Sequence, residues 1–150
     1  MRVILQRVLS ANVKVDGNTV GQIGKGYMVL FGACVGDTLE DALLLAKKTA
    51  QLRVFSDNND KMNLSISDIN GEALVISNFT LYADSKKGRR PSFSNAAPPT
   101  LASELYDEYC NFLNQNGIQN VRKGIFGADM KVELINDGPV TIILDTKELK

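Results

Sequence analysis

Two short polar segments carry the side chains that could do chemistry in this chain. Ser77-Asn78-Phe79-Thr80 ends an apolar run with two hydroxyl groups and a carboxamide, and Asn136-Asp137-Gly138-Pro139 separates two apolar runs. Such groups at strand ends can bind a polar substrate and stabilise an oxyanion. The residue types also allow simpler interpretations, in which Ser77 and Thr80 satisfy backbone groups and the second segment is a tight turn.

The absence of histidine narrows the reactions to consider. None of the 150 residues is histidine, whereas Ser-His-Asp and Cys-His catalysis and most catalytic zinc sites require an imidazole. The two cysteines, Cys34 and Cys110, are far apart in the sequence, and the acidic residues form no cluster with the spacing of metal ligands. We therefore expect neither a metal nor any other cofactor.

Composition predicts one domain, residues 1–150, because 44% of the residues are hydrophobic and no linker interrupts the chain. No apolar run is long enough for a membrane span or resembles a signal peptide, so we expect a cytoplasmic protein with no membrane partner. Seventeen basic residues balance seventeen acidic ones, and any contact with nucleic acid must therefore be local. The one concentrated basic segment, Ser85–Pro99, is typical of a loop and contains Lys86, Lys87, Arg89 and Arg90.

Periodicity predicts the elements that position these segments. Alternation over Arg2–Ile23 around Asp16-Gly17-Asn18 indicates a hairpin, and the apolar run Tyr27–Phe31 indicates a central strand. Thr38 is a good N-cap for a helix that extends to about Leu52.

The rest of the chain continues this pattern. Arg53–Phe55 and Leu74–Ile76 suggest a second hairpin, and a second helix carries the apolar positions Leu101, Leu105, Tyr109 and Phe112 up to Asn116-Gly117. Two further strands follow at Met130–Leu134 and Val140–Leu144. We predict an α+β fold of two packed, mainly antiparallel sheets with two helices covering one face, a three-layer α/β/β arrangement.

Eight segments spread over the chain carry a resemblance to a known family: MRVILQRV, VGQIGKG, DTLEDALLLAKK, LRVF, KMNLS, ISNFTLYAD, KKGRRPSF and FGADMKVELINDGPVT. Through these segments the sequence resembles the D-aminoacyl-tRNA deacylase family nearly from end to end. The first family signature is usually Ser-Gln-Phe-Thr, so Ser77, Phe79 and Thr80 match and Asn78 is one methylene shorter. The second signature, Asn-x-Gly-Pro-x-Thr, is matched by Asn136, Gly138, Pro139 and Thr141.

The resemblance implies a homodimer that hydrolyses the ester of D-aminoacyl-tRNA, and also that of glycyl-tRNA. Catalysis is expected from Ser77, Asn78, Phe79 and Thr80, of which Asn78 departs from the usual glutamine of the family. The Gly138-Pro139 bond is expected to be cis and to enter the partner's active site. Its carbonyl oxygens would bind the substrate ammonium and leave no room for an L side chain.

Supporting residues are expected around these signatures. Arg7 is expected to point inward and brace the Gly-Pro segment, with a surface salt bridge as the alternative. Phe79 and Met130 line an adenosine pocket or belong to the core, and the basic loop contacts acceptor-stem phosphates or is merely solvated. A water activated with help from the tRNA 2′-hydroxyl is favoured over Thr80 as a covalent nucleophile, because Thr80 has no histidine to accept its proton. A noncatalytic RNA-binding dimer of the same fold is the alternative function.

Overall fold

Eight strands and three α-helices build the fold, and the computed structural model describes all residues from 1 to 150. The strands are β1 (Arg2–Val15), β2 (Asn18–Ile23), β3 (Gly26–Gly32), β4 (Phe55–Ser56), β5 (Met62–Leu64), β6 (Glu72–Ser77), β7 (Val121–Lys123) and β8 (Lys131–Asp145). The helices are α1 (Leu39–Gln51), α2 (Pro99–Gln115), α3 (Thr146–Leu149) and a short 3₁₀ helix (Phe79–Tyr82). No helix is both long and apolar enough to cross a membrane.

The long strand β1 organises the main sheet. Its first half pairs antiparallel with β3, its second half pairs antiparallel with β2, and β8 pairs antiparallel along both halves. The turn between β1 and β2 has positive φ at Asp16 and Gly17 (49° and 77°), as a tight two-residue hairpin requires. The predicted first hairpin is therefore confirmed, and β3 is central, between β1 and β6.

The predicted second hairpin is wrong. Arg53–Phe55 does not pair with Leu74–Ile76; instead β4 pairs with β5, and β6 runs parallel to β3 with Phe31 opposite Ser77. Parallel neighbours need a long crossover, and α1 lies in the connection between β3 and β6. The crossover thus brings the ends of β3 and β6 to the same edge of the sheet.

A second difference concerns Asn136–Pro139, which is not a turn between two strands. β8 continues through it, and the pairing with β1 steps from Val8 opposite Asn136 to Gln6 opposite Thr141. Only Arg7 of β1 therefore faces residues 137–140 of β8. The additional residues form a bulge that projects from the strand.

Two apolar cores lie on opposite faces of β3, and together they confirm the α+β class with helices on one face. Tyr27, Val29 and Phe31 face α1 and α2, whereas Met28 faces a smaller core. This smaller core is closed by side chains of β1 and β8, among them Val13 and the partly buried Leu134. β1 and β8 belong to the same six-stranded sheet as β3, so one continuous sheet supplies the strands around this smaller core. Thr38 is the N-cap of α1, as predicted.

Candidate active site

The segment Ser77–Thr80 lies where β6 ends beside the end of β3. The N–H of Asn78 donates to the carbonyl oxygen of Phe31 at 2.7 Å, which ties the segment to the central strand. The Asn78 side chain then caps the 3₁₀ helix, because its Oδ1 accepts both the N–H of Thr80, at 3.2 Å, and the Thr80 hydroxyl. Asn78 therefore has a definite local function despite its shorter side chain.

This capping leaves one main-chain donor free. The N–H of Thr80 is engaged by Asn78, whereas the N–H of Phe79 has no acceptor within the chain. Phe79 is 57% exposed, and its ring packs edge-on against Phe93, with ring centroids 5.0 Å apart. An unpaired N–H beside an exposed aromatic pair can stabilise an oxyanion on a substrate that stacks there.

A groove of about 910 Å³ opens at these strand ends. Ser77, Asn78, Phe79 and Met130 all line it, while Thr80 is exposed beside it and is not part of the lining. The other lining side chains are mostly apolar, and sequence reasoning missed Phe93 and Phe126 among them. The one available signal was that Phe93 is the only aromatic residue of the basic segment.

The Gly138-Pro139 bulge is held at its base by Asn136. Its Oδ1 accepts the N–H of Val140 at 2.9 Å, and its Nδ2 donates to the hydroxyl of Thr141 at 3.1 Å. The Gly138-Pro139 bond is cis, and both residues are exposed. A Cβ on Gly138, which has φ of 135°, would lie 2.9 Å from Val140 Cγ2. The residues of the second signature therefore form a projection that hydrogen bonds of Asn136 hold in place.

Arg7 supports the bulge from below and is only 8% exposed. Its Nε donates to the carbonyl oxygen of Asp137 at 3.0 Å, and its Nη1 donates to the carbonyl oxygen of Val54 at 2.7 Å. The Asp137 carboxylate lies 3.5 Å from Nε. Arg7 is thus buried and hydrogen-bonded to the residue that precedes Gly138.

One chain does not bring the bulge and the groove together. Arg7, below the bulge, pairs with Tyr27 at the start of β3, whereas the groove lies beyond Phe31, which pairs with Ser77. Phe31 follows Tyr27 by four residues along β3, which corresponds to roughly 13 Å at about 3.3 Å per residue. The two signatures therefore belong to different ends of the central strand.

The basic loop lies next to the site: its later residues, among them Phe93 and Ser94, line the groove, but its cationic side chains do not. Its four cationic side chains, Lys86, Lys87, Arg89 and Arg90, are all exposed. The loop is closed at its base by paired backbone hydrogen bonds between Asp84 and Ser92, at 2.7 and 2.8 Å. Phe93 comes directly after Ser92 and lines the groove. The loop therefore places its exposed cations next to the site.

Comparison with known proteins identifies relatives that match nearly the whole chain. The sequence model of the D-Tyr-tRNA(Tyr) deacylase family matches residues 4–145. A D-aminoacyl-tRNA deacylase of Roseiflexus castenholzii is 55% identical over 97% of this chain and 92% of its own. One of Clostridium botulinum is 54% identical over 99% of both chains.

A solved structure described as a c-Myc DNA unwinding element binding protein superimposes with a TM-score of 0.91. It is 37% identical, with 97% of this chain and 98% of that chain covered. The match of both family sequence and fold covers nearly every residue discussed above. The chain therefore belongs to the D-Tyr-tRNA(Tyr) deacylase family, as its sequence predicts.

Proposed function

We propose that this protein hydrolyses the ester of D-aminoacyl-tRNA, releasing a free D-amino acid and tRNA. The observation that carries the proposal is the exposed Gly138-Pro139 bulge, supported by Asn136 and Arg7 in a chain 55% identical to a named D-aminoacyl-tRNA deacylase. Main-chain carbonyls in this projection read the configuration at the substrate α-carbon without requiring a particular side chain. Glycine has no side chain to clash, so glycyl-tRNA is also a substrate under this proposal.

Catalysis in this proposal depends on positioning and oxyanion stabilisation. The aminoacyl ester is already activated, and the free N–H of Phe79 belongs to a residue that lines the groove. The ribose 2′-hydroxyl of the substrate helps to activate the attacking water. Hydrolysis of D-Tyr-tRNA that ends in 2′-deoxyadenosine should therefore be strongly reduced, whereas unchanged turnover would contradict this assistance.

Thr80 as a covalent nucleophile is the less favoured mechanism. Its hydroxyl donates to Asn78 Oδ1, and an amide oxygen is too weak a base to remove that proton. Thr80→Val should keep turnover within about tenfold of the wild-type value, because valine keeps the branched shape of threonine and the N–H of residue 80 can still donate to Asn78. A loss as large as that of a missing nucleophile, about 10⁴-fold or more, would instead favour covalent catalysis.

A homodimer would join the two separated parts of the site. Ile135 and Ile143, on either side of the bulge, are large apolar residues that are 57% and 60% exposed. A partner seated on this face would cover them and receive Gly138 and Pro139 in its own groove. Two composite sites then follow from twofold symmetry.

The tRNA partner is proposed to contact the basic loop. The four cationic side chains of the loop are exposed and lie next to the groove, although the total formal charge of the protein is zero. Phosphates of the acceptor stem would then lie along the loop while the aminoacyl-adenosine enters the groove. Because aminoacyl-tRNA is the substrate of this proposal, we place the reaction in the cytoplasm.

The alternative is a noncatalytic nucleic-acid-binding dimer of the same fold. It is favoured only by the name of the solved structure at 37% identity, a DNA unwinding element binding protein. Purified protein incubated with D-Tyr-tRNA separates the two functions. Catalytic release of D-tyrosine supports the deacylase, whereas stable tRNA binding without release would establish the alternative.

A further inference from the structure

The far end of the 3₁₀ helix is held by a residue that neither signature includes. Arg2, near the start of β1, donates from Nη1 to the carbonyl oxygen of Leu81 at 3.0 Å. Its guanidinium also lies 5.2 Å from the centroid of the Tyr82 ring. Asn78 thus contacts one end of this four-residue helix and Arg2 contacts the other.

Arg2 is itself fixed by a buried carboxylate. Its Nε and Nη2 lie 3.0 and 2.9 Å from Asp145 Oδ2, and the Asp145 side chain is only 6% exposed. The other carboxylate oxygen accepts the N–H of Lys147 at 3.0 Å. Burial raises the pKa of Asp145, but the hydrogen bonds from Lys147 and Arg2 outweigh burial and lower it, so the ion pair persists at neutral pH.

We propose that Arg2 is a positioning residue for the oxyanion donor, the N–H of Phe79. The inference rests on the proposed function. A guanidinium is a rigid fork, so the pair with Asp145 fixes where Nη1 meets Leu81. Without this contact the short helix can rotate about its Asn78 cap and move the N–H of Phe79. Displacements of about 1 Å at a reacting centre can cost about a hundredfold in rate.

Arg2→Lys tests whether the planar guanidinium is required at this position. Lysine keeps the charge beside Asp145 but cannot also hold Leu81 in the same geometry. We expect kcat on D-Tyr-tRNA to fall about tenfold or more while KM stays within about twofold, because the loss is confined to the transition state. Backbone amides of residues 81–84 should also exchange hydrogen faster than in the wild type.

Lys123→Met is the matched control. Lys123 forms the same two kinds of contact, an ion pair with Asp107 and a cation–π contact in which Nζ lies 5.1 Å from the centroid of the Tyr106 ring. It does not contact the 3₁₀ helix. Its kcat should remain at the wild-type value. Thermal unfolding of both variants shows whether a loss of activity follows stability rather than positioning.

The outcomes separate this inference from the function it rests on. Wild-type protein without deacylase activity would overturn both. Active wild-type protein with normal kcat in Arg2→Lys would overturn the positioning role alone. So would a loss in Lys123→Met equal to that in Arg2→Lys, or a change confined to KM.

Discussion

Arg7 donates its Nε–H to the carbonyl oxygen of Asp137 at 3.0 Å, across the only position of β1 that faces the Gly138-Pro139 bulge. Its Nη1 is simultaneously bonded to Val54, so a single buried side chain connects β1, the segment before β4 and β8. A projection with two exposed residues gains rigidity from this connection. In the proposed dimer, that rigidity is what allows main-chain carbonyls to discriminate by clash.

Replacing Arg7 by lysine should therefore loosen the bulge. A single ammonium cannot donate to both carbonyl oxygens in this geometry, and a buried carbonyl that loses its donor costs about 1–3 kcal/mol. We expect this loss in the free energy of unfolding, together with a fall in kcat/KM on D-Tyr-tRNA. Arg53→Lys is the control, because exposed Arg53 also donates to a carbonyl oxygen, that of Asn63 at 2.8 Å. Equal effects of both substitutions would contradict the bracing role.

Phe79→Pro tests the oxyanion donor. Proline removes the N–H, and the first position of a helix tolerates proline well. Phe79→Ala removes the same ring but keeps the N–H. We expect kcat of the proline variant to lie about 10²–10³-fold below that of the alanine variant, the usual cost of one oxyanion donor. Similar kcat values for the two variants would show that this N–H is not used.

A mixture of two inactive variants tests the composite site. Gly138→Ala deforms the bulge, because its Cβ would meet Val140 Cγ2 at 2.9 Å, and Phe79→Pro disables the groove. After subunit exchange, half of the dimers are mixed and each has one intact composite site, so activity should return to about a quarter of the wild-type value. Gly17→Ala, at a positive φ of 77° with open space around it, should remain active alone. A mixture no more active than its components would place both signatures in the same chain's site.

Charge reversal tests the basic loop. In Lys86→Glu/Lys87→Glu we expect a higher KM for D-Tyr-tRNA and a weaker dependence of KM on salt, with a log-log slope smaller by about 1–2. Lys47→Glu/Lys48→Glu on α1 makes the same change in net charge with two exposed lysines elsewhere. If this control shifts KM equally, the effect is one of overall charge and the loop has no specific contact.

Most elements of the fold can be predicted from the sequence because turns, helix caps and apolar helix faces depend on residues that are close together in the chain. The hairpin at Asp16-Gly17, the Thr38 cap and the apolar face of α2 each follow from turn chemistry or helical periodicity. The second hairpin was wrong because strand pairing is decided by tertiary packing: Leu74–Ile76 is equally suited to an antiparallel or a parallel neighbour.

The sequence predicts candidate site residues but few of their contacts. Alternation placed Arg7 inward, and the structure adds that its partners are Asp137 and Val54. The capping of Thr80 by Asn78 spans only two residues, but it depends on the 3₁₀ helix that follows β6. The role of Phe93 beside Phe79 depends on how separate segments meet and does not follow from spacing. The same holds for Arg2, whose partners Leu81 and Asp145 are far away in the sequence.

The comparison of D-Tyr-tRNA and L-Tyr-tRNA as substrates of the same purified protein tests the central claim most directly. If the Gly138-Pro139 carbonyls exclude an L side chain at a cost of about 4 kcal/mol, kcat/KM should favour the D substrate roughly a thousandfold. Comparable values of kcat/KM for the two substrates would contradict a site that reads configuration at the α-carbon.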